Sequence, residues 1–404
     1  MNDAKAKSPA RLVAYVGCYA TGGARSGGIH VFDVGTDGRS LTETSHVVEP
    51  QHAGYLVYSP SLGTLYSVDE RKTDGRGPVG PAASVHAFAV SPSDGRLTWL
   101  NSQLAPGPMP TYLALDESRR ILLTANHGDF AHIERVVQLP NGYWGTEYVY
   151  DDSTVIMFGI ATDGRVESIL DIKVLPGHGK DPNLSPQAGG HAQASAHAHC
   201  AVIDPSGQFV LVCDKGTDQI YVYRVCDGLE QVSTYHFEDE IGPRHVAFDK
   251  STGRAFVTCE FSSELASFDF DTATGRLRLR DRVSTVDGAY AGLNEPADVR
   301  VHPDGQFVYV NNRGEDSLAW FAAGKNGELT RRGHVSISKS IHPGLAARSF
   351  AFDPTGNFVL VADRPANLVR SYAVDRSNGS LHPLTEAPVH DPAFIEFVTL
   401  PSSD

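Results

Sequence analysis

The sequence predicts an all-β protein, a seven-bladed β-propeller with four antiparallel strands in each blade. Three observations predict it. Residues 196–237 read as four short strands with no helix between them, the content of one propeller blade. Halves of that unit recur along the whole chain with a period of about fifty residues, which marks a propeller or a solenoid. Each end of the chain supplies a strand that lacks the other half of its unit, so a ring closes between them. A closed ring also leaves no long sheet edge open to water.

Within 196–237 the strands follow from pattern and turn chemistry. Residues 197–203 alternate and are apolar at Ala201 and Ile203. Asp204-Pro205-Ser206-Gly207 is a turn, with Gly free to take a positive φ. Residues 209–213 are an apolar run of strand length, and Gly216-Thr217-Asp218 breaks it. Residues 219–225 put Ile220, Val222 and Arg224 on one face and Tyr221, Tyr223 and Val225 on the other. Asp227-Gly228 signals a hairpin into the fourth strand, 229–237.

The first half of the unit recurs from residues 53, 110, 242, 295 and 346. The second half recurs from 27, 84, 153, 263, 316 and 367, which with 219–237 makes seven. Residues 12–19 (LVAYVGCY) lack a first half before them, and 394–398 (FIEFV) lack a second half after them. Both are assigned to one shared terminal blade. Residues 1–10 are expected to be a flexible arm, and 11–404 a single propeller domain. Two insertions, 127–152 and 176–195, fall in the same blade. The first carries Tyr143, Trp144, Tyr148 and Tyr150, and the second is rich in Gly, Pro and Ala. A surface loop and a lid are both open readings for them. Residues 71–81 form a smaller loop of the same kind.

Composition limits the partners. The chain has 404 residues, 41% of them hydrophobic, and a formal net charge of −14, which argues against nucleic acid or an anionic membrane as partner. An anionic small substrate then needs a local cationic pocket. No apolar run approaches a membrane span, and no apolar signal segment follows MNDAKAKSPAR, so a cytoplasmic protein is expected. The five cysteines, Cys18, Cys200, Cys213, Cys226 and Cys259, show no CxxC spacing and read as reduced core thiols. No Gly-rich phosphate loop and no serine nucleophile elbow is present, and no cofactor is expected. His197 and His199 are two apart on a strand, with His178 and His191 nearby. That spacing suits a metal, but the loop offers no firm carboxylate geometry, and no metal is expected.

Repeat logic also assigns the faces. Turns of the DPSG kind join first to second strands at Asp204, at 302–305 and at 353–356, and DG, NG and TG turns join third to fourth strands on the same face. The opposite face holds both insertions and an unusual set of polar residues. His197, His199, Arg244, His245, Asp298 and Arg348 stand at starts of first strands. Glu70, Asn126, Asp214, Lys215, Glu260, Arg313 and Arg364 stand at ends of second strands. The first strand is normally innermost, so these groups converge on the channel mouth and make a site hypothesis.

Several segments then resemble one family. They are His197-Ala198-His199 before a DPSG turn, Asp214 to Asp218 with Tyr223, Gly242-Pro243-Arg244-His245, and Glu260 before Phe261-Ser262-Ser263. Asn312-Arg313-Gly314 and Ala347-Arg348-Ser349-Phe350 complete the set. Over essentially its whole length the chain resembles the lactonase family of seven-bladed propellers, which includes 6-phosphogluconolactonases and a carboxymuconate cyclase. The resemblance implies a lactone-opening hydrolase acting on a sugar lactone or sugar acid. It implies a catalytic quartet of His199, Glu260, Arg244 and Arg313. Cys200, Ala347 and Phe261 depart from the residues usual there, and the insertions are longer than in short bacterial members.

The residue types fit that chemistry independently. A carboxylate such as Glu260 can take a proton from water, and Arg244 and Arg313 can hold an oxyanion, carboxylate or phosphate. His199 can protonate the leaving alkoxide or act as the base itself. His197, His245, Arg348, Lys215, Glu70 and Asn126 are expected to bind substrate. Substitution at the mouth is expected to cost rate rather than stability, because the core lies in the strands. The same residues also suit a lactonising or eliminating lyase. A non-catalytic propeller that binds a protein is a third reading, against which the charged mouth argues. The oligomeric state is not legible in the sequence.

Overall fold

The computed structural model describes residues 11–21, 26–72, 82–180 and 192–401. Seven four-stranded antiparallel sheets follow one another, and their innermost strands lie side by side in a ring. Blade I runs Leu56–Ser59, Thr64–Asp69, Ser84–Val90, Leu97–Leu104. Blade II runs Pro110–Asp116, Ile121–Asn126, Ser153–Ile160, Val166–Leu175. Blade III runs Ala198–Ile203, Phe209–Asp214, Gln219–Val225, Leu229–His236. Blade IV runs Pro243–Asp249, Arg254–Cys259, Glu264–Asp271, Arg276–Ser284. Blade V runs Glu295–Val301, Phe307–Arg313, Ser317–Ala323, Leu329–Ser336. Blade VI runs Phe350–Phe352, Phe358–Asp363, Leu368–Val374, Leu381–Pro388.

Blade VII closes the ring. Its innermost strand is Pro392–Leu400, and Arg11–Cys18, Gly28–Val34 and Leu41–Val47 follow outward. Val13 pairs with Val398 and Gly17 with Phe394, so the two ends of the chain share one sheet as the orphan strands predict.

The core lies between blades. Tyr221, Tyr223 and Val225 pack toward blade II, and Ile220 and Val222 pack toward blade IV. Both faces of the third strand are therefore buried along most of its length, with Arg224 exposed near its end. The DPSG-type turns owe their geometry to their aspartates. Asp204 accepts from the Phe209 amide at 2.7 Å and from the Ser206 amide at 2.9 Å, and Gly207 takes φ 72°. Asp353 repeats this with the Phe358 and Thr355 amides. Aromatic hydroxyls tie blades together: Tyr15 donates to the Gly95 carbonyl and Tyr309 to the Gly379 carbonyl.

The insertion at 127–152 folds as a hairpin, His132–Gln138 against Trp144–Tyr150, forming a sheet of its own. Val136, Trp144 and Tyr148 on it are exposed. The N-terminal arm 1–10 and much of the second insertion, including His191, lie outside the described residues.

Gly17 of blade VII packs tightly against the segment that leads into blade I. A Cβ there would lie 2.0 Å from the Ala53 carbonyl oxygen. Backbone cannot swing aside as a side chain can, so Gly17→Ala is expected to destabilise the fold by about 1–3 kcal/mol, the usual cost of overpacking. Urea unfolding would check it; an unchanged midpoint would mean that the blades separate freely at this point.

Candidate active site

A cavity of about 430 Å³ opens at the channel mouth, on the face opposite the DPSG-type turns. Its size suits a small ligand. Each blade delivers residues to it at the same two steps of the repeat, the start of the first strand and the end of the second. His199, Arg244 and Arg348 come from the first step, and Glu70, Lys215, Glu260, Arg313 and Arg364 from the second. Of the ten residues expected in the site, His199, Glu260, Arg244, Arg313, Arg348, Lys215 and Glu70 line this cavity.

Glu260 is the centre of it. Its Oε1 lies 2.7 Å from Lys215 Nζ, and its Oε2 lies 2.8 Å from Arg244 Nε and 2.9 Å from Arg313 Nη2. Arg313 Nη2 also reaches Glu295 Oε2 at 3.1 Å, and its Nε donates to the Glu295 carbonyl. Glu260 and Arg244 are each 2% exposed. Burial alone would raise the Glu260 pKa, but Lys215, Arg313 and Arg244 together hold it far below the ordinary carboxylate range. Burial pulls Arg244 down to about 10, with Arg313 adding repulsion, and burial lowers Lys215 against the pull of Glu260. Three cations face two carboxylates, so the pocket floor carries one net positive charge in an acidic protein. Arg244 Nη1 is buried with no hydrogen-bond partner among the described residues. The Arg244 guanidinium lines the cavity, and its planar donors suit an oxyanion there.

The opposite wall is a second cluster. Tyr19 donates to Glu70 Oε2 at 2.6 Å and accepts from Arg348 Nη1 at 3.0 Å. Arg348 and Arg364 both lie over the Tyr19 ring, and both donate to the Gly344 carbonyl.

Three residues expected to bind substrate do not reach the cavity. Asn126 is fully buried, and its amide donates to the carbonyls of Ala105, Pro106 and Gly107, so it fastens a loop. His197 is fully buried, donates through Nδ1 to the His127 carbonyl and stacks on the His127 ring. His245 lies one row deeper, beside a cavity of about 20 Å³ beneath the first. Its Nε2 is 3.2 Å from His199 Nδ1, and its Nδ1 is 3.1 Å from Asp298 Oδ1. His178 bonds its own loop at the Gly179 carbonyl.

The cavity is also lined by residues absent from the sequence-derived set, Tyr19, His127, Phe130 and Glu295; Arg364, which the repeat logic places at the mouth, lines it too, and Asp298, placed there by the same logic, stands behind it. Strand register explains the depth of Asp298. Pro243 opposes Cys259 and Pro296 opposes Asn312, which puts Asp298 at the same step of blade V as His245 in blade IV. The root of the hairpin insertion, Gly128 to Phe130, forms one wall, and Lys215 Nζ stands 5.4 Å from the Phe130 ring.

Burial lowers the pKa of His199 well below its ordinary value, and Arg244, His245, Lys215 and His127 push the same way. Burial and Arg244 lower His245 to about 4, against the pull of Asp298. Burial and nearby positive charge hold His127 and His197 down as well. All four rings are neutral at pH 7.

Comparison with known proteins agrees with this architecture. The family model described as lactonase, 7-bladed beta-propeller, matches residues 13–397. A Bacillus subtilis protein named 6-phosphogluconolactonase is 29% identical over 373 residues, covering 92% of this chain and 93% of the relative. A Formosa agariphila protein of the same name is 26% identical over 368 residues, covering 89% of this chain and 92% of that one. Among solved structures, a Pseudomonas aeruginosa periplasmic gluconolactonase superposes with a TM-score of 0.79 at 26% identity, covering 97% of this chain and all of that one (100%).

The buried ion cluster changes what substitution should do to stability. Arg244 and Glu260 belong to the interior, so the expectation of cost in rate alone is corrected. Glu260→Gln leaves three buried cations short of a countercharge and is expected to cost about 3–5 kcal/mol. Because the folded pKa of Glu260 is depressed, its contribution is full above the ordinary value of 4.5 and is lost as pH falls below it. Unfolding free energies of the two proteins should therefore converge as pH is lowered from 5 toward 3. A constant gap across that range would show that the carboxylate's charge is not what the cations require.

Proposed function

We propose that this chain, which belongs to the lactonase family of seven-bladed β-propellers, is a hydrolase that opens a sugar lactone at its channel mouth. The relatives named 6-phosphogluconolactonase support a phosphorylated sugar lactone as the substrate. One observation carries the reading. A neutral histidine, His199, and an arginine with an unpartnered donor, Arg244, line one cavity whose floor has excess positive charge.

In the mechanism we propose, the lactone carbonyl oxygen meets Arg244 and Arg313. His199 Nε2 takes a proton from water as its oxygen bonds to the carbonyl carbon. The oxyanion that develops is held by guanidinium donors already in place, with no reorganisation needed as charge appears. The ring C–O bond then breaks, and the alkoxide takes the proton back from His199. The product is the open hydroxy acid, which ionises at neutral pH. Glu260 does not accept the proton here, in contrast to the role its residue type suggests. A carboxylate clamped by three cations is too weak a base at pH 7. Its part is to hold Lys215, Arg244 and Arg313 together. Arg348 and Arg364 on the far wall are suited to an anionic group at the other end of the substrate.

The test is acid release in a pH-stat with 6-phosphogluconolactone and unphosphorylated sugar lactones. Wild-type protein is expected to exceed the spontaneous rate, and His199→Gln to lose about 10²–10⁴-fold. Turnover of muconolactones but no sugar lactone would replace this reading with a cyclase. The pH dependence follows from the buried base. His199 works when unprotonated and its pKa is held below 6.5, so kcat/KM should stay flat as pH falls through 6.5 and drop only in more acid solution. A fall centred at or above 6.5 would move the base to another group.

A further inference from the structure

We propose that Asp298 and His245 are positioning residues that fix the tautomer of His199, leaving its Nε2 bare and facing the cavity. The chain of contacts crosses three blades: Asp298 on blade V, His245 on blade IV, His199 on blade III. It begins at a carboxylate whose described side-chain partners are all donors. Asp298 Oδ1 accepts from the Val299 amide at 3.0 Å, and Oδ2 from Arg300 Nε at 3.1 Å and from Ser349 Oγ at 3.3 Å. Arg300 keeps its proton at any working pH. Asp298 therefore acts as an acceptor, and burial, which disfavours its charge, is outweighed by Arg300 and His245.

From there each proton is forced in turn. His245 Nδ1 lies 3.1 Å from Asp298 Oδ1, a distance at which a bare nitrogen would set lone pair against lone pair. Nδ1 must carry the hydrogen. A second proton on Nε2 would charge a buried ring beside Arg244, so Nε2 is bare. His199 Nδ1 lies 3.2 Å from that nitrogen and must donate to it. His199 faces Arg244, Lys215, His127 and His245, none of which favours a second proton on its ring. Nε2 is left as the lone pair, and it has no hydrogen-bond partner among the described residues. Free neutral histidine favours the opposite tautomer, with hydrogen on Nε2. The relay reverses that preference before substrate arrives.

When His199 accepts a proton at Nε2, the new charge lies one imidazole away from a fixed carboxylate. No proton needs to leave the relay for this to help. The benefit rests on the lactonase reading for its kinetic consequence, but the tautomer does not.

The experiment is long-range ¹H–¹⁵N NMR of the full chain labelled at histidine ring nitrogens, at pH 7, with His199→Gln identifying the His199 signals. The expected result is hydrogen on His199 Nδ1 and a bare Nε2, changing to hydrogen on Nε2 in His245→Phe. Phe keeps the ring's packing against Tyr112, where the His245 ring now sits edge-on at 5.3 Å. If His245→Phe does not fold, Asp298→Asn serves as the second variant, with the same change of tautomer expected. In turnover, His245→Phe should lose about 10²–10⁴-fold in kcat with little change in KM, the loss expected when a base is presented in the wrong tautomer. Hydrogen on His199 Nε2 in the wild type, or a tautomer unmoved by the variant, overturns the proposal. The stated tautomer without opening of any lactone overturns the lactonase reading and leaves the relay standing.

Discussion

The Glu260 carboxylate is the contact on which the site depends. Lys215 arrives from blade III, Arg244 from blade IV and Arg313 from blade V, and all three are buried. Three cations that close, away from water, repel one another strongly. One shared carboxylate between them, with Glu295 behind Arg313, makes their burial tolerable. The same contact joins three consecutive blades at the channel mouth. It also takes Glu260 out of proton transfer, because the charge that holds the cations is the charge a base would have to give up.

A propeller brings distant residues together by phase. Each blade offers the channel the same few steps of its repeat, so residues about fifty apart in sequence become neighbours. One row holds His199, Arg244 and Arg348, which line the cavity. The row beneath holds His245, Asp298 and Ser349, joined to one another and to His199 by hydrogen bonds. The scaffold repeats while the chemistry differs from blade to blade. The ring must be closed for these rows to meet, and the shared sheet of blade VII closes it.

The fold was legible because propeller turns are local chemistry. Aspartate and glycine at fixed offsets define the DPSG turns, and alternation sets the strands between them. The strands of blade III differ from their sequence-derived bounds by a residue at most at either end. Much of the site was legible for a similar reason: charged residues at the ends of apolar strands have few other places to go. What the sequence does not carry is depth and pairing. Asn126 stands one step before His127, the blade II position that matches Glu260, and spends its amide on three loop carbonyls. His197 shares the HAH segment with His199, yet its ring is stacked behind the wall. The clamp on Glu260 depends on which side chains converge across blades, and no local pattern records that.

The hairpin insertion belongs partly to the site and partly to the surface. Its two strands form a sheet of their own, and a two-stranded sheet alone is marginal in water. Its root is different. His127 to Phe130 packs against His197, His199 and Lys215, and the His127 carbonyl fixes the His197 ring. The wall made by Phe130 is apolar and lies beside a cationic floor, so a ligand there meets an oriented boundary between charge and hydrocarbon. That boundary is where an inserted segment can alter which small ligand fits without disturbing the ion cluster beneath it.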